Sequence, residues 1–519
     1  MNDASTEAVY GRVCVTQHAD ALVVDPVPPT DRHGLLAAMR ATVGPLRPSG
    51  LGGVGVAGVR AADLLLAAPP LVLRWTEAAR RFAENRARGR DRHADVHRAV
   101  ESIKAAGALH AKTLLADLDD AERLDGHQLV NVAAMVVPDS PGLCVFDEQG
   151  AGKTVTLIFA FDLLVKRGEA DVLIVLAPKS MVPEWPRDFE RFKGDMYRTV
   201  VLTGSRREKR EAVCTPADVI VTNFETAVSL EDELASLARA RDGRVVLAVD
   251  ESFYVKNLDA RRTRAVRRLR EWCGRAYVLC GTPAPNSPHD LVQQFGVVDF
   301  GVTFGGVEIP DEREAAQPVV QQAIEARGLY VRHLKQDVLP DLPGKSFERV
   351  LVPLQPQQQQ LYDTACRDMV LDLQSMDDTT FQRQLPSFLA RRMALLQICS
   401  HPAAVAPGYQ ETPAKLLALD AVLEELIERR GEKVIVWSSF VHSVEQVLAR
   451  YPQYGAVRYD GAVATVEERR DAVRRFQEDE ETRLFVANPA AAGAGLTLHR
   501  ARVAVYESLS NQAAHYLQS

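Results

Sequence analysis

The decapeptide Val145-Phe-Asp-Glu-Gln-Gly-Ala-Gly-Lys-Thr154 runs from an apolar, strand-like stretch into a glycine loop and then into a lysine and threonine that open a helix. It reads as a phosphate cradle. Gly150 and Gly152 let backbone N–H groups close around phosphate oxygens, with Ala151 between them, while Lys153 reaches the β/γ-phosphates and the Thr154 hydroxyl ligates Mg2+. The helix that follows, from Val155 to about Val165, aims its positive end at the same anion. Asp147 stands where the textual pattern G-x-x-x-x-G-K-[ST] has its first glycine.

Further along, Arg244-Val-Val-Leu-Ala-Val-Asp-Glu251 is an apolar strand ending in two carboxylates. After a phosphate loop this is where Asp250 holds the metal and Glu251 polarises an attacking water. The same alternation extends on both sides. Apolar, β-rich runs at 142–146, 172–177, 199–202, 219–222, 245–249 and 276–279 are separated by helical sequence, which implies a parallel sheet flanked by helices with ligands at the carboxyl ends of its strands. Residues 311 to about 425 read as mostly helical, with a glutamine run at Gln355–Gln360 too short to be disordered. A second alternation follows at 434–437, 456–459, 484–487 and 503–506. The expected fold is α/β, two lobes joined by a helical region.

At 519 residues and 46% hydrophobic the chain can bury two or three cores. No run of eighteen apolar residues and no basic-then-apolar leader is present, so neither a membrane span nor a secretory signal is expected, and a cytoplasmic location is. Seven widely spaced cysteines without a C-x-x-C pair argue against a disulfide framework and against structural zinc. A net charge of −7 does not exclude nucleic acid, because screening beyond about 10 Å lets a local basic groove act alone. Residues 1–115 stand apart, with a β-like opening over Val9–Val24, a Gly/Pro-rich stretch from Pro45 to Gly58 and then helical sequence. Eight arginines lie between Arg74 and Arg98. A solvated face balanced by Glu77, Glu84, Asp91 and Asp95 accounts for them as well as a phosphate-binding surface does, and no chemistry is assigned to them.

Assembled in order, the segments from about 120 to 519 resemble the Swi/Snf-type DNA-dependent ATPases of helicase superfamily two. Leu124-Asp-Gly-His-Gln128 is similar to the adenine-reading segment, and Asp147–Thr154 to motif I. Ala177-Pro-Lys-Ser180 with Trp185 resembles motif Ia, and Thr222-Asn-Phe-Glu225 the next DNA-side loop. Asp250-Glu-Ser-Phe-Tyr-Val-Lys-Asn257 resembles motif II, and Gly281-Thr-Pro-Ala-Pro-Asn286 motif III. Val331–Val338 with Leu342-Pro-Gly-Lys345 resembles the interlobe segment, and Ile398-Cys-Ser-His-Pro402 a family turn in which His401 is a packed histidine. Val434–Phe440, Tyr459-Asp-Gly461 with Glu467–Phe476, and Ala491–Leu496 resemble motif IV, the segment after it and motif V.

The resemblance implies two RecA-like lobes, 116–310 and 426–519, a helical insertion over 311–425, and an accessory region over 1–115 open to protein partners. It implies ATP with Mg2+, an adenine contact from Gln128, DNA contacts from Lys179, Thr222, Asn223 and Gly493, and coupling of nucleotide state to DNA through Gly281, Thr282 and Asn286. The implied activity is ATP-driven movement along double-stranded DNA, gripped by its backbone and with weak sequence preference. A strand-separating DNA or RNA helicase and a nucleotide-gated scaffold remain alternatives. Two departures stand out. Phe253 occupies a place where the family carries a histidine or glutamine, so hydrogen-bonded coupling does not run through this side chain. The second lobe is expected to be incomplete: Val503–Tyr506 and Ser510-Asn-Gln512 supply the strand and link after motif V, but Ser519 falls where motif VI begins, and Arg500 and Arg502 flank motif V. The expectation is a truncated product or arginines in trans, with ATP bound but slowly hydrolysed.

Overall fold

The computed structural model describes residues 8–519 apart from 44–45, 49–52, 68–70, 340–341, 376–377, 464, 493–495, 497, 510–515 and 517–518. Two compact units divide at Leu342 and Pro343.

The first unit carries two sheets. The amino-terminal one contains β1 (Val9–Val15), β2 (Ala21–Pro26), β3 (Arg47–Pro48), β4 (Val54–Ala57) and β5 (Leu71–Trp75) in the order β3-β4-β2-β1-β5, with β1 antiparallel to β2 and parallel to β5. Val13, Leu22, Val24, Leu35, Met39 and Phe82 form its core. Its link to the rest of the unit is polar and in part buried. Arg86 on the long helix Glu77–Leu114 pairs with Glu271 at 2.7 Å, Asn85 donates to the same carboxylate at 2.8 Å, and Arg268 donates to the Gln17 carbonyl at 2.8 Å. Arg90, Arg92 and Arg98 pair with Asp63, Asp139 and Asp95. Half of the arginine run is therefore matched by carboxylates, most of them distant in sequence from those the sequence nominates.

The larger sheet is wholly parallel. Its strands are β6 (Gly142–Val145), β7 (Val172–Ala177), β8 (Thr199–Val201), β9 (Val219–Asn223), β10 (Val245–Asp250), β11 (Arg275–Leu279) and β12 (Tyr330–Val331), in the order β12-β6-β11-β10-β7-β9-β8. β7, β10 and β11 are buried along their whole length, which is why they read as unbroken apolar runs rather than alternating ones. β12 lies beyond residue 310, as does the helix Arg313–Arg327, and both belong to this first unit. A two-residue strand has no periodicity for a sequence reading to detect.

In the second unit, β13 (Val434–Trp437), β14 (Val457–Tyr459), β15 (Leu484–Ala487) and β16 (Val503–Tyr506) form a parallel sheet in the order β14-β15-β13-β16. Helices Pro356–Ser375, Asp378–Ser400 and Ala414–Leu423 precede it. Within the glutamine run Gln358 is buried. Gln358 donates to the Ile398 carbonyl at 2.6 Å and accepts from the Ala414 amide at 3.1 Å, tying the three helices together.

Candidate nucleotide site and nucleic-acid face

Strand order decides which loops meet. Along the carboxyl edge of the larger sheet, β6, β11, β10, β7 and β9 are successive neighbours, with Val145 beside Leu279, Leu279 beside Asp250, Val249 beside Leu176 and Ala177 beside Asn223. The loops after these strands therefore line up as the glycine loop, Gly281, the acid pair, the Lys179 loop and Thr222-Asn223. Segments scattered over more than a hundred positions become one continuous edge.

The glycine loop is held open from below. Gly150 and Gly152 lie at φ +84° and +85°, and Gly152 caps the helix Lys153–Lys166. A Cβ on Gly152 would land 2.1 Å from Gln128 Nε2, so a side chain here would displace Gln128 as well as strain the backbone. Lys153 Nζ donates to the Asp147 and Glu148 carbonyls at 3.0 and 3.4 Å, folding the ammonium over the loop, and Thr154 is half-buried at the helix start. Gln128 is the third residue of the helix Gly126–Met135 and closes its capping box. Its Oε1 accepts from the Asp125 amide at 2.9 Å, and its Nε2 donates to the Ala151 carbonyl at 3.3 Å. His127 Nε2 meets the same carbonyl at 2.8 Å.

A second layer was not legible in the sequence. Asp147 is fully buried, accepts from Asn131 Nδ2 at 2.5 Å and from the His333 amide at 2.9 Å, and lies 2.9 Å from His333 Nδ1. Glu148 N donates to the His333 carbonyl at 2.9 Å, and Lys335 N donates to Glu148 Oε2 at 2.8 Å. The Lys335 ammonium lies over the loop, 3.1 Å from the Cβ position of Gly150. The Asp147 carboxylate, which replaces the pattern's first glycine, thus fastens the loop to His333, and the Glu148 carboxylate fastens it to Lys335.

At the end of β10, Asp250 and Glu251 are both buried, and Glu251 adopts φ +47°. Asp250 Oδ1 accepts from the Glu251 amide at 2.9 Å, and Oδ2 from the Trp185 indole at 3.2 Å. Burial pushes the Asp250 carboxyl up from its ordinary value; the nearby Lys153 charge and the Trp185 and Glu251 donors pull the other way. Burial, then Glu251, drive the Cys280 thiol up to about 12, so it stays protonated 3.9 Å from Glu251 Oε2. Asp188, one turn beyond Trp185, is pushed up to about 6 by burial, with Glu184 and Asp250 adding to the effect.

Motif III touches both neighbours. A Cβ on Gly281 would lie 3.0 Å from the Gln149 amide, so the glycine lets the two loops approach. Ser252 donates to Gln294 at 2.5 Å and Gln294 to the Pro283 carbonyl at 2.6 Å, linking the acid pair's loop to the stretch beside Thr282. The Asn286 amide and Lys256 Nζ converge on Asp290 at 3.3 and 3.0 Å. Phe253 stacks on Tyr254 at 4.6 Å, and Tyr254 on Phe224 at 5.5 Å.

The expected nucleic-acid residues divide. Lys179 is exposed just past β7. Thr222 departs from the expectation: it is fully buried, its hydroxyl without a partner, because β9 is covered up to its last residue, so it is out of reach of a ligand on the surface. Asn223 Oδ1 is committed to capping the helix Phe224–Ser229, accepting from Thr226 N at 2.8 Å. Gly493 and Ser510–Gln512 lie outside the described residues. Arg500 donates to the Gln477 carbonyl at 3.2 Å, and His401 stacks on His442 at 5.6 Å. Among the described residues no helix is long and apolar enough to cross a membrane.

The sequence matches the SNF2-related domain over residues 82–404 and the helicase conserved C-terminal domain over 417–519. YwqA of Bacillus subtilis, whose name describes an ATP-dependent helicase/translocase, is 27% identical over 70% of this chain and 40% of its own length. The DNA repair and recombination protein RAD54-like of Mus musculus is 24% identical over 71% of this chain and 56% of its own length. The chain thus spans about half the length of these relatives. The SWI2/SNF2 ATPase core of Sulfolobus solfataricus in complex with dsDNA aligns with 74% of this chain and 82% of that one at 19% identity and a TM-score of 0.35.

Proposed function

The chain belongs to the family of proteins that carry an SNF2-related domain, and on that premise we propose that it binds ATP at Asp147–Thr154 and couples its hydrolysis to movement along double-stranded DNA. The observation that carries this reading is the carboxyl edge of the larger sheet. Adjacent strands deliver the glycine loop, Gly281, the acid pair and the Lys179 loop side by side, so a change at a bound phosphate has three strand spacings, about 14 Å, to cross before it reaches the proposed DNA face.

The residues present fit a nucleotide and its metal. Gly150 and Gly152, at φ +84° and +85°, give the loop a backbone shape that side chains rarely adopt, and the nearby donors are oxygens, a hydroxyl on Thr154 and a carboxylate on Asp250, suited to a hard cation such as Mg2+. When bound, that ion neutralises charge developing on the phosphoryl oxygens. Lys153 exchanges its two backbone carbonyls for phosphate oxygens. Glu251, buried and next in sequence to the metal-holding Asp250, orients the attacking water. Gln128 keeps one amide hydrogen and spare lone pairs for the base. Lys179, Asn223 and Gly493 would hold DNA phosphates.

ATP turnover with duplex DNA, single-stranded DNA and RNA at equal nucleotide concentration tests this reading. Duplex is expected to raise turnover most, and Lys153→Ala to abolish it with the fold intact. Stronger stimulation by single strands or RNA refutes duplex movement. Tight nucleotide binding without stimulation by any of the three refutes the motor altogether.

A further inference from the structure

Phe253 leaves the acid pair without the polar side chain through which a hydrogen bond would reach the nucleic-acid side. Another group does make a bond to this pair. Trp185 is 1% exposed, and its indole N–H ends on Asp250 Oδ2 at 3.2 Å. A buried indole needs an acceptor, and here it takes a carboxylate rather than one of the many backbone carbonyls of a sheet. Oδ1 is held separately by the Glu251 amide at 2.9 Å, so one donor on each oxygen fixes the plane of the carboxylate.

The other end of Trp185 leads to the Lys179 loop. Trp185 sits in the first turn of the helix Glu184–Lys193. The six residues between β7 and that helix are closed by Met181 N to the Pro178 carbonyl at 2.8 Å, Val182 N to the same carbonyl at 3.2 Å and Glu184 N to the Met181 carbonyl at 3.0 Å. Prolines at 178 and 183 bracket the loop. A short loop tied this often moves as one piece with the turn that follows, and Lys179 lies exposed on it.

We propose that Trp185 is a positioning residue for hydrolysis, its indole N–H setting the orientation of Asp250 according to how the Lys179 loop is engaged. The inference rests on the reading of Asp250 as the metal-holding carboxylate and of Lys179 as a DNA contact. It supplies the link between them that Phe253 cannot. Donors that orient a metal-bound carboxylate are worth about tenfold to a hundredfold in metal affinity or activity when removed.

Two replacements separate the N–H from the ring. Trp185→Phe removes the donor and some volume; β-(3-benzothienyl)alanine installed at position 185 replaces the N–H with sulfur and keeps the shape. Two measurements are made on each: the Mg2+ concentration that half-saturates binding of a fluorescent ATP analogue, and the ratio of DNA-stimulated to basal turnover at saturating Mg2+. Both replacements are expected to raise the Mg2+ requirement about tenfold and to lower the ratio several-fold, with the salt dependence of DNA binding unchanged. A benzothienyl variant with wild-type Mg2+ dependence and ratio overturns the proposal whatever Trp185→Phe does, because shape alone then suffices. A benzothienyl variant with a raised Mg2+ requirement but an undiminished ratio overturns the link to the Lys179 loop. Wild-type turnover that DNA does not raise refutes the translocase reading instead, and the Mg2+ requirement then decides the positioning role by itself.

Discussion

Removing the charge of Asp162 is expected to destabilise the first unit by about 3–5 kcal/mol at neutral pH. Asp162 lies on the phosphate-loop helix Lys153–Lys166 and pairs with Lys193 of the helix Glu184–Lys193 at 2.7 Å, with side-chain exposures of 2% and 3%. Tyr197 donates to its other oxygen at 2.6 Å, and the ammonium also lies 4.0 Å from the centre of the Phe159 ring. Asp162→Asn keeps the shape and leaves an ammonium with no countercharge in a low-dielectric interior. The loss has a ceiling, because any lysine can escape by giving up its proton, which costs about 1.4 kcal/mol per pH unit below its solution value near 10.4 and so about 5 kcal/mol at pH 7. The same arithmetic lowers the ceiling to about 2 kcal/mol at pH 9. Replacing both partners, as Asp162→Leu with Lys193→Met, removes the buried charge altogether and is expected to fall within about 2 kcal/mol of wild type. Urea unfolding followed by tryptophan fluorescence measures this, since Trp75, Trp185 and Trp272 report on the first unit and Trp437 on the second. A loss under about 1 kcal/mol for Asp162→Asn, or a double replacement as unstable as the single one, refutes the argument.

Three further outcomes follow from the site. Glu251→Gln should bind and retain ATP while turnover falls about 10²-fold or more, because shape is kept and the water loses its base; failure to bind nucleotide counts against that role. Gly152→Ala places a Cβ 2.1 Å from Gln128 Nε2 at φ +85° and should weaken fluorescent-nucleotide binding at least about tenfold, with about 1–2 kcal/mol of backbone strain; affinity within threefold of wild type excludes a tightly fitted cradle. Asp188 has its carboxyl raised to about 6, so its folded form carries no cost below the ordinary carboxylate range, a growing cost as pH rises from about 4 to 6 and a constant one above. Asp188→Asn without Mg2+ should therefore stabilise the first unit by about 2 kcal/mol at pH 8, after discounting for its partial exposure, and by almost nothing at pH 4; a pH-independent gain argues against a buried charge as the cause.

Ten strands of the two lobes were legible because each is a short, largely apolar and β-rich run between helical stretches, and β7, β13, β15 and β16 have the bounds that the sequence suggests. The glycine loop and the acid pair were legible because their chemistry is local, carried by neighbours in sequence. What escaped was carried by distance. Trp185 meets Asp250 across 65 positions and His333 meets Asp147 across 186, and no period or spacing announces either contact. Thr222 misleads for a different reason: a polar residue near a strand end reads as exposed, yet β9 stays buried through Thr222 and only Asn223 is partly open.

Beside the glycine loop, β12 pairs with β6, and His333 and Lys335 continue that pairing onto Asp147 and Glu148 before the chain turns through the helix Lys335–Val338 and leaves the unit at Leu342. The segment that ends the first unit and the loop proposed to hold phosphates therefore share the hydrogen bonds at Asp147 and Glu148, so a substitution that loosens one end of that joint loosens the other.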